Sequence, residues 1–434
     1  MQLLLRYFFF IALLASHAEA GEFFTLKGHG GPIMDIAVSP SGQIATGSFD
    51  NAVGLWEGSE PSWQDGHEAA VTAVAFLNSD TVLSGSDDFT LRAWTADEGK
   101  VLGRHQAKIL SIVTSLDSKL IASASWDATI GLWPTDAPEN VRFLRGHRQG
   151  VNDVAVTADA SRVFSASTDG TIRVWDVATG EEKAQLVSHG FGVNELVLNE
   201  LDGWLAYGAV DGGTRLINIE TGQQIADFTL DRRPVLSMAY HAETKQLAVG
   251  DGQGFIMMID TAEMKITRDF RAAKHGPIWA LAFSPDGQNL HAGGIEDIMY
   301  SWPVTTMDEY AQMSGEIRSF LEDPDSLPNG ERQFKRKCSI CHTLTAGSAR
   351  KAGPSLYNLF GRLAGTVEDY NYSETLDNSD IIWSDETIND LFDIGPDHYI
   401  PGSKMPMQRI AKQQDRDDLI EFLRIATSER GVQK

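Results

Sequence analysis

Two cysteines and a histidine stand together in the segment "RKCSICHT" at residues 336–343. Cys338 and Cys341 are the only 2 cysteines among 434 residues, and His342 follows them directly. Two thiols separated by two residues can both reach one edge of a porphyrin, and the imidazole that follows is then held under its iron. Cys-x-x-Cys-His is therefore the pattern of a c-type haem attachment site.

The same residues allow three other kinds of site: zinc, a redox-active cysteine pair or a disulfide. Structural zinc takes four ligands, and the sequence has no second cysteine pair to complete the set. A thioredoxin-like redox pair belongs to a βαβ context, which the surrounding sequence lacks. The motif alone thus favours haem attachment, and the sequence around it supplies the further support given below.

A repeat of about 40 residues fills the chain before this motif. The stretch "VFSASTDGTIRVWD" at 163–176 recurs in weaker form six times, with steps of 38 to 43 residues between anchor positions. The anchors are Trp56, Trp94, Trp133, Trp175, Ile217, Ile259 and Trp302. This is the period of a four-stranded propeller blade, so the repeat predicts a seven-bladed β-propeller.

Other polar residues keep a fixed distance from the anchors. Histidines stand 27 or 28 residues before six of them: His29, His67, His105, His147, His189 and His275. Aspartates stand six residues before five of them: Asp50, Asp88, Asp127, Asp169 and Asp211. Hydroxyl residues stand ten before four of them: Thr46, Ser84, Ser123 and Ser165. The spacing resembles the WD-repeat family over roughly residues 22–303, and the resemblance implies a hydrogen-bonded Trp, Ser/Thr, His and Asp tetrad in each blade. Because these residues recur once per blade, we interpret them as structural, and copies five to seven depart from the pattern.

Five segments follow one another from Gly330 onward: "GERQFKRKCSICHTL" (330–344), "GPSLYNLFGR" (353–362), "YNYSETLDNSDIIW" (370–383), "YIPGSKM" (399–405) and "RDDLIEFLRIATSE" (416–429). With these segments this part of the chain resembles the mitochondrial-type, class I cytochrome c family. The resemblance implies one haem c joined by thioethers to Cys338 and Cys341, with His342 and Met405 as the axial metal ligands. Met407 is a competing thioether two residues further on.

The resemblance also implies roles for five other cofactor-binding residues. The carbonyl of Pro354 would accept the ring N–H of His342, and Ser403 would hydrogen-bond near the distal side. Arg362, Tyr372 and Trp383 would lie at the haem propionates, where buried carboxylates need donors. No separate catalytic residue is predicted.

The predicted fold class is multidomain, with an all-β seven-bladed propeller followed by an all-α class I cytochrome c domain. The same patterns divide the chain into four parts. Residues 1–20 are a signal peptide, with a short positive start, an apolar run and an Ala-x-Ala end. Residues 21–305 form the propeller, whose N-terminal strand is expected to pair with the last blade. Residues 306–328 form a helix and a linker, and residues 329–434 form the cytochrome c domain. An uncleaved N-terminal anchor is the alternative to the signal peptide.

The formal net charge of −24 excludes some classes of partner. Nucleic acid and anionic membrane surfaces need a basic face, so neither is expected. Residues 330–434 carry 14 basic and 16 acidic side chains, so most of the negative charge precedes them. An acidic propeller keeps a protein soluble, and it can also steer a basic partner.

An iron with both axial positions filled has no open position for a substrate. We therefore expect an electron-transfer protein rather than an enzyme, exported to a bacterial periplasm, with redox partner proteins docked on the propeller and no membrane span after signal cleavage. Two alternatives remain. One is a periplasmic oxidoreductase with an active site in the propeller and the cytochrome as electron outlet, and the other is a haem-based redox sensor or scaffold.

Overall fold

The computed structural model describes residues 21–96, 98–230, 234–310, 312–313, 327–347 and 350–428. The predicted signal peptide, residues 1–20, lies outside the described residues. Within the described ranges the strands fall between residues 24 and 303, and the α-helices fall between residues 329 and 426. This order confirms the predicted fold class of an all-β propeller followed by an all-α domain.

Seven antiparallel sheets of four strands form the blades of the propeller. In chain order, and from the innermost strand of each blade outward, blades 1 to 3 are β2 (Ile33–Val38), β3 (Ile44–Ser48), β4 (Ala52–Glu57), β5 (Glu60–Asp65); β6 (Val71–Asn78), β7 (Thr81–Ser86), β8 (Thr90–Trp94), β9 (Gly99–Arg104); and β10 (Ile109–Thr114), β11 (Leu120–Ser125), β12 (Thr129–Pro134), β13 (Arg142–Arg145). Blades 4 to 6 are β14 (Val151–Val156), β15 (Arg162–Ser167), β16 (Thr171–Asp176), β17 (Glu182–Ser188); β18 (Val193–Asn199), β19 (Trp204–Ala209), β20 (Thr214–Asn218), β21 (Gln224–Asp227); and β22 (Val235–His241), β23 (Gln246–Asp251), β24 (Phe255–Asp260), β25 (Lys265–Arg271). Blade 7 is β26 (Ile278–Phe283), β27 (Asn289–Gly294), β28 (Ile298–Pro303) and β1 (Phe24–Lys27).

Strand β1 closes the ring, because it pairs with a strand from the other end of the propeller. Phe24 lies opposite Ser301 and Lys27 opposite Ile298 in the antiparallel β1–β28 ladder. The amide of Asn289 adds a hydrogen bond of 2.7 Å to the carbonyl oxygen of Glu22. Closure by the first and last strands leaves the last blade with a full set of four strands.

Each of the first four blades contains one complete tetrad, and blade 2 is typical. Nδ1 of His67 lies 2.8 Å from the Asp88 carboxylate, and Nε2 lies 2.6 Å from Oγ of Ser84. The indole N–H of Trp94 donates to the same Ser84 oxygen at 2.7 Å. The equivalent contacts recur in blades 1, 3 and 4. Within each tetrad the indole, the imidazole, the hydroxyl and the carboxylate are partners of one another, so these histidines and aspartates serve the blade.

Blade 5 keeps part of the tetrad in altered form. Nε2 of His189, rather than Nδ1, contacts Asp211 at 2.9 Å. The guanidinium of Arg215 donates to Nδ1 of His189 at 2.9 Å. Ile217 stands where the anchor Trp would be, so the blade has no indole to hydrogen-bond.

The prediction that His275 belongs to a tetrad is wrong, because this residue is exposed. Ala292 stands where the blade would need its hydroxyl residue. Glu296, which replaces the aspartate, accepts a hydrogen bond of 2.9 Å from the hydroxyl of Tyr300. Blade 7 thus has a different polar core, and His275 lies on the surface.

The prediction of a helix that begins at Thr306 is also wrong for the first residues of this segment. A single 3-10 turn spans Met307–Glu309, and the next residue, Tyr310, is extended. Met313 then forms a parallel bridge with Ala273, with its N–H donating to the Ala272 carbonyl at 2.7 Å. Met307 and Met313 are buried against blades 6 and 7, so packing and this pairing hold the segment extended. The rest of the predicted helix and linker, residues 314–326, lies outside the described residues.

Five α-helices form the described part of the C-terminal domain, and none of the helices in the described residues has the length and hydrophobicity needed to cross a membrane. They are α1 (Asn329–Lys337), α2 (Glu374–Asp377), α3 (Asp385–Ile394), α4 (Pro396–Tyr399) and α5 (Gln413–Ala426). Helix α3 begins at a capping box in which Ser384 and Thr387 exchange hydrogen bonds, and it ends at Gly395, whose φ of 104° stops the helix. The first and last helices cross at Gly330, where a Cβ would lie 2.0 Å from the carbonyl oxygen of Asp418.

Candidate haem site

A cavity of about 880 Å³ lies among the helices and loops of the C-terminal domain and extends to the face of the propeller. Its volume is in the range of sites that hold a cofactor or a small ligand. All nine residues that the sequence analysis assigned to the site line this cavity: Cys338, Cys341, His342, Pro354, Arg362, Tyr372, Trp383, Ser403 and Met405. The structure thus brings together side chains that are spread over almost 70 positions of the sequence.

A hydrogen bond at Nδ1 fixes the orientation of the His342 ring. Its Nδ1 lies 2.8 Å from the carbonyl oxygen of Pro354. A carbonyl can only accept, so Nδ1 carries the proton and donates, and Nε2 is left with its lone pair for a metal. Burial lowers the pKa of His342, which favours this neutral form. Gly353 packs on the ring, since a Cβ there would lie 2.4 Å from the Cε1 atom of His342.

The two cysteines lie at the C-terminal end of α1. Cys338 is the last residue held by the helix, and the N–H groups of Cys341 and His342 both donate to its carbonyl oxygen, at 3.0 and 2.9 Å. This tight turn places both thiols and the imidazole on the cavity wall. Both thiols are free and buried, and burial raises the pKa of Cys341 to about 11 and that of Cys338 to about 12.

The structure distinguishes the two candidate methionines. Met405, in the loop between α4 and α5, lines the cavity and packs against the core of the domain. Met407 is 52% exposed, and its sulfur lies near Gly395 instead. Only Met405 of this pair can present its thioether to the space in front of His342.

The polar end of the cavity is built around Arg362. Its guanidinium donates to the carbonyl oxygens of Tyr357 and Ser355, at 2.6 and 2.8 Å, which fixes the side chain against the wall. Burial lowers the pKa of this arginine. Tyr372 and Trp383 line the same cavity, so two further donors accompany the cation.

Three buried polar atoms indicate that the cavity suits a group with polar substituents. They are the hydroxyl oxygens of Ser373 and Ser403 and the amide oxygen of Gln408, and within the described ranges none of them has a hydrogen-bond partner. All three residues line the cavity. Buried polar atoms are normally satisfied, so these atoms suit a bound group that carries polar substituents. The otherwise apolar wall, the free Nε2 and the two thiols fit a haem.

Several wall residues were missed by the sequence analysis. In the helical domain these include Ser373, Gln408 and Tyr370, whose hydroxyl donates to the Ala352 carbonyl at 2.7 Å. The propeller supplies a second group at the mouth of the cavity: Phe49, Asn51, Glu68, Ala69, Ala70, Asp87, Asp88, Phe89, Arg104, Ala107, Lys108 and Trp126. All belong to blades 1 to 3, more than 200 positions before the haem motif, so no local sequence pattern links them to it.

The two domains are in direct contact beside this mouth. The guanidinium of Arg350 binds both carboxylate oxygens of Asp65, at 2.6 and 2.9 Å. The same guanidinium lies 4.4 Å from the centre of the Trp63 ring. Asp65 and Trp63 both belong to β5, the outer strand of blade 1.

Two family models match the chain. The model described as "WD domain, G-beta repeat" matches residues 22–57, 60–95, 97–134, 138–176 and 265–302. Blade 5 and most of blade 6 fall outside these segments, in the region where the repeat departs from its pattern. The model described as "Cytochrome c" matches residues 327–426.

Curated relatives match the same C-terminal region. Cytochrome c of Sesamum indicum is 43% identical over 105 residues, which are 24% of this chain and 94% of the relative. Cytochrome c of Ginkgo biloba is 41% identical over 112 residues, or 26% and 98% of the two chains. Cytochrome c of Theileria parva is 44% identical over 99 residues, or 23% and 84%. The chain therefore belongs to the cytochrome c family, through a C-terminal domain that follows a seven-bladed WD40 propeller.

Proposed function

We propose that the protein is an exported c-type cytochrome that transfers single electrons through one haem c. Cys338 and Cys341 would hold the haem covalently, and His342 and Met405 would supply the two protein ligands of its iron. The propeller docks the redox partner, in keeping with the general use of WD40 propellers in protein interactions. Most of the net charge of −24 lies in the propeller part of the chain, which favours a basic partner.

The arrangement of the two ligand residues around one cavity carries this proposal. The carbonyl oxygen of Pro354 accepts a hydrogen bond from the Nδ1–H of His342, so Nε2 is the ring nitrogen left for a metal. Met405 lines the same cavity, while Met407 does not. A bound haem supplies an iron that accepts and releases one electron. Two protein ligands leave no position for a substrate, which favours electron transfer over catalysis.

Export is supported by the sequence of residues 1–20 and by the attachment motif. The N-terminal segment has the positive start, apolar run and small-x-small end of a signal peptide. Covalent attachment of haem to the reduced thiols of Cys338 and Cys341 takes place in a compartment outside the cytoplasm. Mass spectrometry of protein from the periplasmic fraction is expected to give a mature chain that begins at Gly21. A chain that retains Met1 would contradict cleavage.

Absorption spectra of the holoprotein test the ligand set, with a matched pair of variants. The ferric protein is expected to show the weak near-red band of a methionine sulfur on iron, and the ferrous protein is expected not to respond to carbon monoxide. Met405→Leu is expected to lose the band and to bind carbon monoxide readily. Met407→Leu is the control and is expected to behave as the unmodified protein. Carbon monoxide binding by the unmodified protein would contradict the proposal and favour an open iron.

A further inference from the structure

The propeller covers one side of the haem cavity. Phe89 and Trp126, from blades 2 and 3, line the mouth of the cavity although 42% and 53% of their surfaces are exposed. Lys108 joins them, with its ammonium 3.7 Å from the centre of the Trp126 ring. Aromatic side chains and charged side chains of both signs on the propeller thus face the haem domain across the opening.

A single glycine makes the close approach of the two domains possible. Gly30 follows the tetrad residue His29 in blade 1 and is buried. A Cβ at this position would lie 0.7 Å from the carbonyl oxygen of Arg350, so the backbone of the haem domain occupies the space of a side chain. The Arg350 side chain then reaches Asp65 and Trp63 in the same blade.

The other blades show that a glycine is not needed here for the blade itself. The N–H of Gly30 donates to the tetrad aspartate Asp50 at 2.8 Å. The same bond, at 2.9 Å, is made in blades 2, 3 and 4 by Glu68, Gln106 and Arg148. Gly30 is not among the residues with positive φ, so its backbone conformation is open to any residue. What distinguishes blade 1 is that the backbone of the haem domain occupies the space of a side chain at this position.

We infer that blades 1 to 3 are a docking surface for the haem domain of the same chain and form the outer wall of its haem site, so that a protein partner reaches the haem only when the contact at Gly30 and Arg350 opens. The contact includes the close approach of Gly30 to the Arg350 backbone and one bidentate ion pair between Arg350 and Asp65. Interfaces between domains of one chain resemble transient interfaces, so opening is the expected behaviour. This inference goes beyond the proposed function, which does not say how a partner on the propeller reaches the haem.

The test replaces Gly30 with a residue that the equivalent position of blade 3 already carries. In the full-length holoprotein, Gly30→Gln keeps the tetrad but places a side chain where the Arg350 backbone lies. Arg148→Gln is the matched control, because it puts the same residue at the same position of blade 4, where Arg148 is exposed. Hydrogen–deuterium exchange is measured for all blades and for residues 350–357.

Gly30→Gln is expected to raise deuterium uptake at residues 86–90 and 350–357 and to leave blades 4 to 6 unchanged, whereas Arg148→Gln is expected to change neither region. The rate of electron exchange with a soluble mitochondrial-type cytochrome c, used as a basic protein probe, is expected to rise roughly fivefold or more. The rate with ascorbate, a small reductant, is expected to stay within about twofold of the original value, well below the effect on the protein probe.

Three results would overturn the inference, and none depends on the identity of the axial ligands. Unchanged deuterium uptake at both segments would mean that the domains are not docked through Gly30. Raised deuterium uptake with an unchanged rate of electron exchange with the protein probe would mean that this surface does not limit access to the haem. Equal acceleration with both reductants would point to a change in the haem itself. Arg350→Gln provides the second variant and is expected to act in the same direction as Gly30→Gln, since it removes the ion pair with Asp65 and does not alter the propeller.

Discussion

Nδ1 of His342 lies 2.8 Å from the carbonyl oxygen of Pro354, and this contact decides which ring nitrogen can bind a metal. The oxygen has no proton to give, so the ring must donate from Nδ1. The N–H of Gly353, the residue before Pro354, donates to the carbonyl oxygen of Cys341 at 2.8 Å, which ties this loop to the cysteine motif. The loop after the cysteine motif therefore holds the imidazole from two sides.

Replacing Gly353 by alanine is expected to disturb this imidazole. The new Cβ would lie 2.4 Å from Cε1 and 2.7 Å from Nδ1 of His342, so the ring or the loop must move. Overpacking of this kind costs about 1–3 kcal/mol. We expect a lower yield of covalently bound haem, measured by haem staining of a denaturing gel, and a weakened near-red band in the ferric spectrum.

Gly361→Asn is the control for this variant. Gly361 has a φ of 84°, and nothing lies near a Cβ built on it. Asparagine tolerates such a conformation, so the loop changes in composition without a collision. Equal haem yields in Gly353→Ala and in the unmodified protein would show that the ring does not depend on the space at Gly353.

The crossing of α1 and α5 gives a second prediction. A Cβ on Gly330 would lie 2.0 Å from the carbonyl oxygen of Asp418, so Gly330→Ala forces the two helices apart. The helical domain is expected to lose about 1–3 kcal/mol of stability. Denaturant unfolding followed by the haem absorbance is expected to shift to lower denaturant, while the propeller transition stays in place. Arg336→Ala, on the exposed face of α1, is the control and is expected to have little effect on either transition.

Short-range patterns in the sequence were enough to predict most of the fold. The spacing between Trp133 and Trp175 predicts one blade, because each blade folds as one local unit of four strands. The motif from Cys338 to His342 likewise predicts haem attachment, since three residues close together in the sequence carry that chemistry. These features are local, so they can be recognised without knowing what else packs against them.

Features that depend on packing between distant parts of the chain could not be predicted in this way. Gly30 and Arg350 are 320 positions apart, and neither belongs to a sequence motif that predicts a contact with the other. The residues after Thr306 have helical spacing, yet Met313 pairs with Ala273, because backbone partners there outweigh the helical pattern. His275 has the tetrad spacing but lacks the hydroxyl partner, which its spacing alone could not reveal.

The turn that carries Phe89 gives a third prediction. Phe89 has a φ of 73°, and the equivalent turns hold Asn51 in blade 1 and Gly170 in blade 4. A left-handed conformation costs a residue with a Cβ about 1–2 kcal/mol, and asparagine adopts it more readily. Phe89→Asn is therefore expected to stabilise the propeller by up to about 1 kcal/mol in denaturant unfolding. It is also expected to loosen the haem domain, seen as faster deuterium uptake at residues 350–357, because Phe89 lines the cavity mouth.

Ala128→Asn separates the two effects. Ala128 occupies the same turn of blade 3 with a φ of 67°, and it does not line the cavity. We expect a similar gain in stability with no change in exchange at residues 350–357. If both variants loosen the haem domain equally, the Phe89 side chain has no special part in the contact.

Blade 7 gives a fourth prediction, which concerns pH. His291 is 3% exposed, and within the described residues its Nδ1 has no hydrogen-bond partner. Burial lowers its pKa to about 4, and the nearby Asp286 carboxylate opposes this shift only in part. In the unfolded chain its pKa is about 6.5, so between these values the unfolded state takes up a proton that the folded state does not. The stability that this residue contributes is complete above pH ~6.5 and is lost as the pH falls towards ~4, by a total on the order of 3 kcal/mol.

His291→Gln is expected to reduce the pH dependence of propeller unfolding over that interval, because glutamine does not titrate. Burial also lowers the pKa of His67 and His147, so the unmodified propeller loses more stability on acidification than His291 alone explains. The difference between the two slopes, measured by denaturant unfolding at a series of pH values, isolates the single residue. His275→Gln removes an exposed histidine from the same blade and is the control for the loss of an imidazole as such. A His291→Gln slope equal to that of the unmodified protein would mean that His291 reaches solvent and takes up its proton in the folded state as well.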